Sequence, residues 1–418
     1  MTKQIKFYLA FIFCLAFIIG AATYPIDGYE KTGIERLLYL ERIMSGEIKG
    51  ELPPPGARKS IADIKLKLNG SRGDSLQEIL SPDPELQKEV DAIFSTLDPS
   101  YSVGILDITE GRPIRYAQRK QNVGYQPGSV GKLAVLAGLF SELERLYPDS
   151  FTKRQELLRE REVYGGRWVI PNQHNVPIYN PETGHYERRY VRQDDRFSLY
   201  EWTDHMISVS SNAAASVMWR ECILMRAFGE EYPSLREEEA EEYFKTTPKK
   251  ELAQIAVSIV NDPLRTIGIT TNEWRLGRFF TREAANIVPP SGGSTGTTLG
   301  MMKFLVSMEK GEIVDPKSSL EMKRILYQTD RRIRYAASPA LTNAAVYFKS
   351  GSLYKCQQEE GFKCGKYMGN VYNYMNSVAI VEHPDGRTYL AVLMSNVLRQ
   401  NSSSDHYTLA TRIDRLIK

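Results

Sequence analysis

Three short polar motifs carry residue types suited to nucleophilic acyl transfer. In chain order their sequences are SVGK at 129–132, SSN at 210–212 and KSG at 349–351. A serine hydroxyl becomes an effective nucleophile when a neighbouring base takes its proton, and an unprotonated lysine amine is such a base. The set therefore predicts a serine enzyme that forms an acyl intermediate on Ser129.

The first motif joins Ser129 and Lys132 at the start of a helix. Pro127 and Gly128 predict a turn before Ser129, and the apolar stretch 133–140 predicts a buried helix after it. Free N–H groups and the positive dipole end at a first helical turn stabilise an oxyanion. Lys132 shares a helical face with Ser129, and burial would lower its pKa so that it acts as the base. The pair alone also fits an N-cap beside a surface cation.

The second motif supplies Ser210 and Asn212. We expect Ser210 to relay the proton to the leaving nitrogen and Asn212 to hold an amide of the substrate. The alternative is a polar cap before the three alanines at 213–215. Either interpretation places the motif at the start of a helix.

The third motif is predicted at the end of an edge strand. Lys349 would attract a substrate carboxylate and polarise Ser210, and Ser350 would hydrogen-bond the same carboxylate. Gly351 would let the substrate approach the strand closely. The N–H of Ser352 would be the second oxyanion donor. The alternative is an ordinary strand end followed by a turn.

The order of the motifs matters more than any one of them. The Ser-x-x-Lys spacing recurs at 150–153, 307–310 and 352–355, so the spacing alone identifies nothing. What favours the site is that each motif lies where a suitable helix or strand begins or ends.

Hydrophobic patterning predicts the elements that position these motifs. The predicted helices are 86–93, 133–140 and 408–417, and the predicted strands are 101–108, 114–117, 344–348, 377–382 and 389–394. The first and last strands would pair in one sheet, with a helical region inserted between them. The predicted fold class is therefore mixed α+β: an antiparallel sheet plus an all-helical region, with an N-terminal extension.

The N-terminus predicts export. Lys3 and Lys6 precede a short apolar run and small residues at 20–22, which is typical of a signal peptide over 1–22. The alternative is a retained membrane anchor. Residues 23–84 are predicted to be an extension with a proline-rich linker, and 85–418 the hydrolase domain. In an oxidising compartment a disulfide between Cys356 and Cys364 is plausible, and two unpaired thiols are the alternative.

Composition argues against several other functions. The net charge of +3 gives no reason to expect a nucleic-acid partner. None of the five histidines has a metal-spaced histidine partner, and Gly-x-Ser-x-Gly is absent. We therefore expect no metal, no cofactor and no Ser-His-Asp triad.

The motif set resembles the penicillin-recognising serine enzymes, and most closely the class A β-lactamases. The resemblance rests on the segments MISVSSNAAA at 206–215, TTL at 297–299, FKSG at 348–351 and PDG at 384–386. It covers roughly residues 85–418. It implies a β-lactamase/DD-peptidase-like fold with the site between the sheet and the helical region.

The resemblance also predicts a deacylating carboxylate, where this sequence departs from the family pattern. Counting back from Thr298 aligns Asn286 with the asparagine of the family's Ω-loop, a substrate-binding position. The residue expected to be glutamate is then Arg282. Glu283 is a candidate base if the loop is shifted by one residue, and otherwise a solvated helix residue. Asn376 stands where a substrate-binding arginine often lies.

Three functions remain open at this point. The first is a β-lactamase, the second a D-alanyl-D-alanine carboxypeptidase or endopeptidase acting on cell-wall peptides, and the third a slowly acylated binding or sensor module. All three predict covalent labelling of Ser129, with a small β-lactam or a cell-wall peptide as the partner. We expect an exported monomer, periplasmic or extracellular, which contacts the membrane only if the N-terminal segment is retained.

Overall fold

A computed structural model describes residues 25–76, 81–172, 174–329 and 332–417 of the chain, so the predicted signal peptide lies outside the described residues. Its strands are β1 (Ser102–Asp107), β2 (Arg115–Arg119), β3 (Glu162–Tyr164), β4 (Asn175–Asn180), β5 (His185–Tyr190), β6 (Arg196–Ser198), β7 (Trp274–Arg275), β8 (Thr295–Gly296), β9 (Ala345–Lys355), β10 (Tyr372–Glu382) and β11 (Thr388–Asn396). Its helices are α1 (Tyr29–Thr32), α2 (Glu35–Ser45), α3 (Ser71–Asp74), α4 (Pro84–Phe94), α5 (Lys132–Leu146), α6 (Phe151–Glu160), α7 (Leu199–Ile207), α8 (Asn212–Phe228), α9 (Glu237–Thr246), α10 (Lys249–Thr266), α11 (Arg282–Ile287), α12 (Thr298–Lys310), α13 (Pro316–Leu326) and α14 (Ser403–Asp414).

The main sheet has five antiparallel strands in the order β2-β1-β11-β10-β9. The pairing of β1 with β11 joins the first and last parts of the domain, as predicted. One face of the sheet packs against α4 and α14, and the other packs against the helical region. The architecture confirms the predicted fold class.

Strand β9 is longer than its sequence suggests. The apolar pattern predicts a strand that ends at 348, but β9 continues to Lys355 and pairs with β10 throughout. The second half of the strand begins with polar residues and a glycine. These residues do not give the alternating apolar pattern by which a strand is recognised in a sequence. The third motif therefore lies within the strand and not at its end.

The helical region is built around α5, which is buried on almost every side. Helices α7, α8 and α10 pack against it. The turn before α5 points at β9, so the beginning of the helix meets the edge of the sheet. This arrangement places the first motif beside the third.

The N-terminal extension packs on the rest of the chain. Leu37, Ile64 and Leu68 belong to the large core of the helical region. Arg36 is buried, and its Nε and Nη2 lie 2.5 and 2.6 Å from the carboxylate oxygens of Asp204 in α7. Removal of one partner of such a buried pair typically costs about 3–5 kcal/mol. The extension therefore contributes to the fold, and the domain boundary at residue 84 stays a prediction.

Two further features concern the cysteines and the membrane. Cys356 and Cys364 form a disulfide between β9 and β10, and Cys222 is a buried free thiol. Within the described ranges, no helix has both the length and the apolar character needed to cross a bilayer.

Candidate active site

Ser129 lies in a 3-10 turn, Gly128–Gly131, that leads directly into α5. Gly128 has a φ of +53°, and a Cβ there would lie 2.8 Å from the backbone N of Ser352. Only glycine combines this backbone angle with so close an approach. The turn before Ser129 therefore packs closely against the backbone of Ser352 in β9.

Gly351 has a different use from the one that the sequence predicted. A Cβ on Gly351 would lie 2.2 Å from the carbonyl oxygen of Pro127 and 2.9 Å from the backbone N of Ser129. The space that was assigned to the substrate is thus filled by the chain's own turn. The glycine lets the turn that carries Ser129 contact β9.

The amine of Lys132 is buried at the centre of the motifs. Its Nζ lies 2.9 Å from Oγ of Ser129, 2.6 Å from the carbonyl oxygen of Ser210 and 2.8 Å from Oδ1 of Asn212. Burial lowers the pKa of Lys132 well below its usual range, and the positive charge of Lys349 lowers it further. A neutral amine donates two hydrogens, which suit Ser210 and Asn212, and keeps a lone pair for the Ser129 hydroxyl.

Ser210 holds a strained backbone between α7 and α8. Its φ is +64°, a left-handed conformation that costs a residue with a side chain about 1–3 kcal/mol. The next residue, Ser211, caps α8 by accepting from the N–H of Ala214 at 3.2 Å. The strained turn directs the carbonyl of Ser210 to Lys132, and its hydroxyl accepts from Lys349 at 2.7 Å.

Lys349 lies inside β9 and connects the second and third motifs. Besides its bond to Ser210, its Nζ donates to the carbonyl oxygen of Ser350 at 3.1 Å. Burial lowers the pKa of Lys349 to about 7, and the nearby charge of Arg334 adds to the effect. Ser350 is buried next to it in the strand. The structure thus brings Ser129, Lys132, Ser210, Asn212, Lys349, Ser350, Gly351 and Ser352 together.

Arg334 is a cation of this site that the sequence did not reveal. It belongs to a short 3-10 helix before β9, with a φ of +53°. Its Nη1 donates to the carbonyl oxygen of Gly351 at 3.2 Å, and its Nη2 donates to Oγ of Ser352 at 3.1 Å. The ring centroid of Tyr367, in the connection from β9 to β10, lies 5.0 Å from the guanidinium carbon. A lone arginine in an irregular segment carries no motif, so only the fold identifies it.

Phe280 is the second residue that sequence reasoning missed. Its ring centroid lies 5.0 Å from Nζ of Lys132, and a Cβ on Gly131 would lie 3.6 Å from the ring. An apolar side chain gives no chemical signal in the sequence. From the segment before α11, the group that faces the Lys132 amine is therefore an apolar ring.

Glu283 and Asn286 lie on α11 and bond to each other at 3.2 Å. The carboxylate of Glu283 also accepts from Nη2 of Arg167 at 3.2 Å, and Asn286 is exposed. No hydrogen bond between the described residues joins either side chain to Ser129 or Lys132. The catalytic role of Glu283 and the binding role of Asn286 therefore stay predictions.

Asn376 supports the turn that carries Ser129. It lies opposite Gly351 in the sheet register, and its Nδ2 donates to the carbonyl oxygens of Gln126 at 2.8 Å and Pro127 at 3.2 Å. The position where an arginine was considered thus holds the segment before Ser129. Across the described ranges, no cluster of three or more His, Cys, Asp or Glu side chains is placed to hold a metal ion.

Comparison with known proteins identifies a family and a fold. The family model described as "Beta-lactamase enzyme family" matches residues 85–417. No curated protein matches the chain. The family match confirms the resemblance that the motifs indicated.

Solved structures with the same fold are distant in sequence. A class A beta-lactamase from Bacteroides cellulosilyticus DSM 14838 is 15% identical with a TM-score of 0.51, covering 81% of this chain and 98% of that one. The TLA-3 extended-spectrum beta-lactamase is 12% identical with a TM-score of 0.52, covering 80% of this chain and 99% of that one. A beta-lactamase from Chitinophaga pinensis DSM 2588 is 13% identical with a TM-score of 0.50, covering 79% of this chain and 97% of that one. At these identities the likeness establishes the fold.

The contact between Gly351 and the turn that carries Ser129 predicts a clear effect on stability. Gly351→Ala should lower the free energy of unfolding in urea by about 1–3 kcal/mol, because its Cβ collides with backbone that is itself packed. Gly293→Ala is the matched control, since nothing lies within 4 Å of a Cβ at that position. Equal stability of the two variants would show that β9 and the turn are not in contact.

Proposed function

The chain belongs to the beta-lactamase enzyme family, and from that premise we propose that it is a serine hydrolase that opens β-lactam amides through an acyl-enzyme on Ser129. The observation that carries the proposal is the 2.9 Å distance between Nζ of Lys132 and Oγ of Ser129. A buried amine with a lowered pKa at this distance is able to take the hydroxyl proton.

Acylation begins when Lys132 removes the proton of Ser129 and Oγ attacks the carbonyl carbon of the lactam. The N–H groups of Ser129 and Ser352 hold the resulting oxyanion. The intermediate collapses as the bond from carbon to nitrogen breaks. Ser210 donates its hydroxyl proton to the leaving nitrogen and regains one from Lys132, whose amine lies 3.3 Å away. The product is an ester on Ser129 and a neutral Lys132.

Substrate binding depends on a positive pole at the edge of β9. Lys349 and Arg334 are cations at this edge, and Ser350 follows Lys349 in the strand. Two positive charges that disfavour each other are stabilised by an anion between them. We propose that this pole binds the carboxylate of the substrate, with Asn212 beside its amide.

The release of the acyl group is slow in this proposal. Water needs a base to attack the ester, and the side chain against Lys132 from the segment before α11 is the ring of Phe280. Glu283, the predicted base, makes its hydrogen bonds with Arg167 and Asn286. These positions favour a second candidate function, a peptidase acting on D-alanyl-D-alanine termini of cell-wall peptides, which uses the same acylation chemistry.

Export is part of the proposal. The Cys356–Cys364 disulfide requires an oxidising compartment to persist, such as the periplasm or the exterior of the cell. Cell-wall peptides and β-lactams both occur there. We propose an exported monomer.

Benzylpenicillin should form a stoichiometric adduct that intact-mass measurement detects and peptide mapping places on Ser129. Ser129→Ala should form none, and Lys132→Met should be acylated about 10²–10⁴-fold more slowly, because it lacks the base. Ser150 and Lys153 have the same spacing, so Ser150→Ala and Lys153→Met are matched controls that should react at the wild-type rate. An adduct on a residue other than Ser129 would refute the proposal.

The rate of acyl release tests the deacylation step. Glu283→Gln should leave the decay of the penicilloyl-enzyme unchanged. Phe280→Glu should speed it by at least about tenfold, because a carboxylate beside Lys132 is able to activate water. Phe280→Gln is the neutral control and should release no faster than wild type.

The same measurement separates the candidate functions. Slow release of penicilloate that Glu283→Gln does not change would support the proposed β-lactam hydrolase. Trapping of the adduct by Glu283→Gln would restore Glu283 as the base and indicate an efficient β-lactamase. A long-lived adduct together with turnover of D-alanyl-D-alanine peptides would indicate the peptidase. A long-lived adduct without peptide turnover would indicate a binding or sensor module.

A further inference from the structure

The connection between β9 and β10, residues 356–371, is folded back on itself near the third motif. The disulfide between Cys356 and Cys364 closes its first half. The side chain of Asn370, near its end, accepts from the N–H of Gln357 at 2.9 Å and donates to the carbonyl oxygen of Gln357 at 3.0 Å. Each of these contacts closes a short loop of the chain, so together they restrict the backbone between them.

The connection is also anchored to the loop that follows β11. The carboxylate of Glu359 accepts from Nη2 of Arg399 at 2.9 Å, and the N–H of Arg399 donates to the carbonyl oxygen of Gly369 at 2.9 Å. Residues on both sides of Tyr367 are therefore held in place.

Tyr367 lies against two residues near the third motif. The guanidinium carbon of Arg334 lies over its ring, 5.0 Å from the centroid. The ring of Tyr354 meets it nearly edge to face, with the centroids 5.7 Å apart and the planes at 79°. Because Tyr354 follows Ser352 by two residues in β9, their side chains lie on the same face of the sheet. Tyr367 therefore covers Arg334 on the face of β9 that carries Ser352.

The ring of Tyr367 restricts the guanidinium of Arg334 in a way that its hydrogen bonds do not. Two N–H groups at the edge of the guanidinium donate to the carbonyl oxygen of Gly351 and to Oγ of Ser352. An aromatic ring instead attracts the face of the cation, so edge and face are held independently. The contact fixes the charge beside Ser352 without using any N–H donor of Arg334.

We infer that Tyr367 is a positioning residue for substrate binding: its ring holds Arg334 where the guanidinium attracts the substrate carboxylate. The inference rests on the proposed function, because it needs a carboxylate that binds between Lys349 and Arg334. Tyr367 acts through Arg334 and contacts no reacting atom. Its hold on Arg334 is a property of the folded chain, so it is measurable without a substrate.

The pKa of Lys349 reports the position of Arg334 in the absence of substrate. The positive charge of Arg334 lowers this pKa, so the pKa rises when the guanidinium moves away. In NMR of ¹⁵N-lysine protein, Tyr367→Leu should shift the titration of Lys349 upward, toward its value in Arg334→Met. Tyr367→Phe keeps the ring and should titrate as wild type does. An unshifted titration in Tyr367→Leu would overturn the inference.

Acylation by benzylpenicillin tests the consequence for the substrate. Tyr367→Leu should weaken the complex that precedes acylation by about two- to thirtyfold, the range expected for a cation–π contact, and leave the limiting rate of acylation unchanged. Tyr164→Leu is the matched control, because it removes a ring that lies 5.4 Å from the guanidinium of Arg196 in the small sheet of β3 and β6. This control should react as wild type does.

A second control and the wild-type reaction separate the possible outcomes. Lys366→Met removes the other cation near the Tyr367 ring, at 5.2 Å, and should also react as wild type does. An equal weakening in Lys366→Met would assign the effect to Lys366 and overturn the inference. An undiminished affinity in Tyr367→Leu, with a normal adduct in wild type, would overturn the inference alone. The absence of any adduct in wild type would instead refute the proposed function.

Discussion

The amine of Lys132 is buried among three oxygen atoms that come from two separate segments of the chain, the turn at Ser129 and the motif at 210–212. Burial of a charged ammonium is costly, so the neutral amine is favoured and the oxygen atoms must be held in place for it. This requirement explains local features that by themselves are unfavourable for folding. The strained φ of Ser210 brings its carbonyl to the amine, and the glycines at 128 and 351 let the turn of Ser129 reach β9.

In the proposed mechanism two lysines have different roles because their surroundings differ. Burial lowers the pKa of both lysines, but Lys132 contacts Ser129, while Lys349, with a pKa of about 7, lies near Arg334. A base at one end and a positive pole at the other fit a substrate with a carboxylate on one side of a reactive carbonyl. Ser210 contacts both lysines, at 3.3 Å and 2.7 Å, and so connects the two ends.

Much of the site was predictable from the sequence, because each motif combines a chemical residue with a signal for the element that holds it. The turn before Ser129, the helix after Asn212 and the hairpin at 384–386 all form where their residues indicate. Phe280 and Arg334 were missed for a physical reason. An apolar ring and a single arginine gain their meaning only from the fold, which brings them to Lys132 and Ser352.

The length of β9 and the packing of the extension were also beyond the sequence. Cross-strand pairing with β10 extends β9 through residues that have no alternating pattern. The extension is held by Arg36 and Leu37, whose partners lie far away in the chain. Such long-range contacts leave no trace in local periodicity.

The ionisation state of Lys132 tests the central claim most directly. In protein labelled with ¹⁵N-lysine, NMR shifts of Nζ distinguish an amine from an ammonium, and Lys132→Met assigns the resonance by its loss. We predict that Lys132 is a neutral amine at neutral pH, while Lys349 titrates near pH 7. An ammonium at Lys132 that persists to about the ordinary lysine pKa would contradict the account.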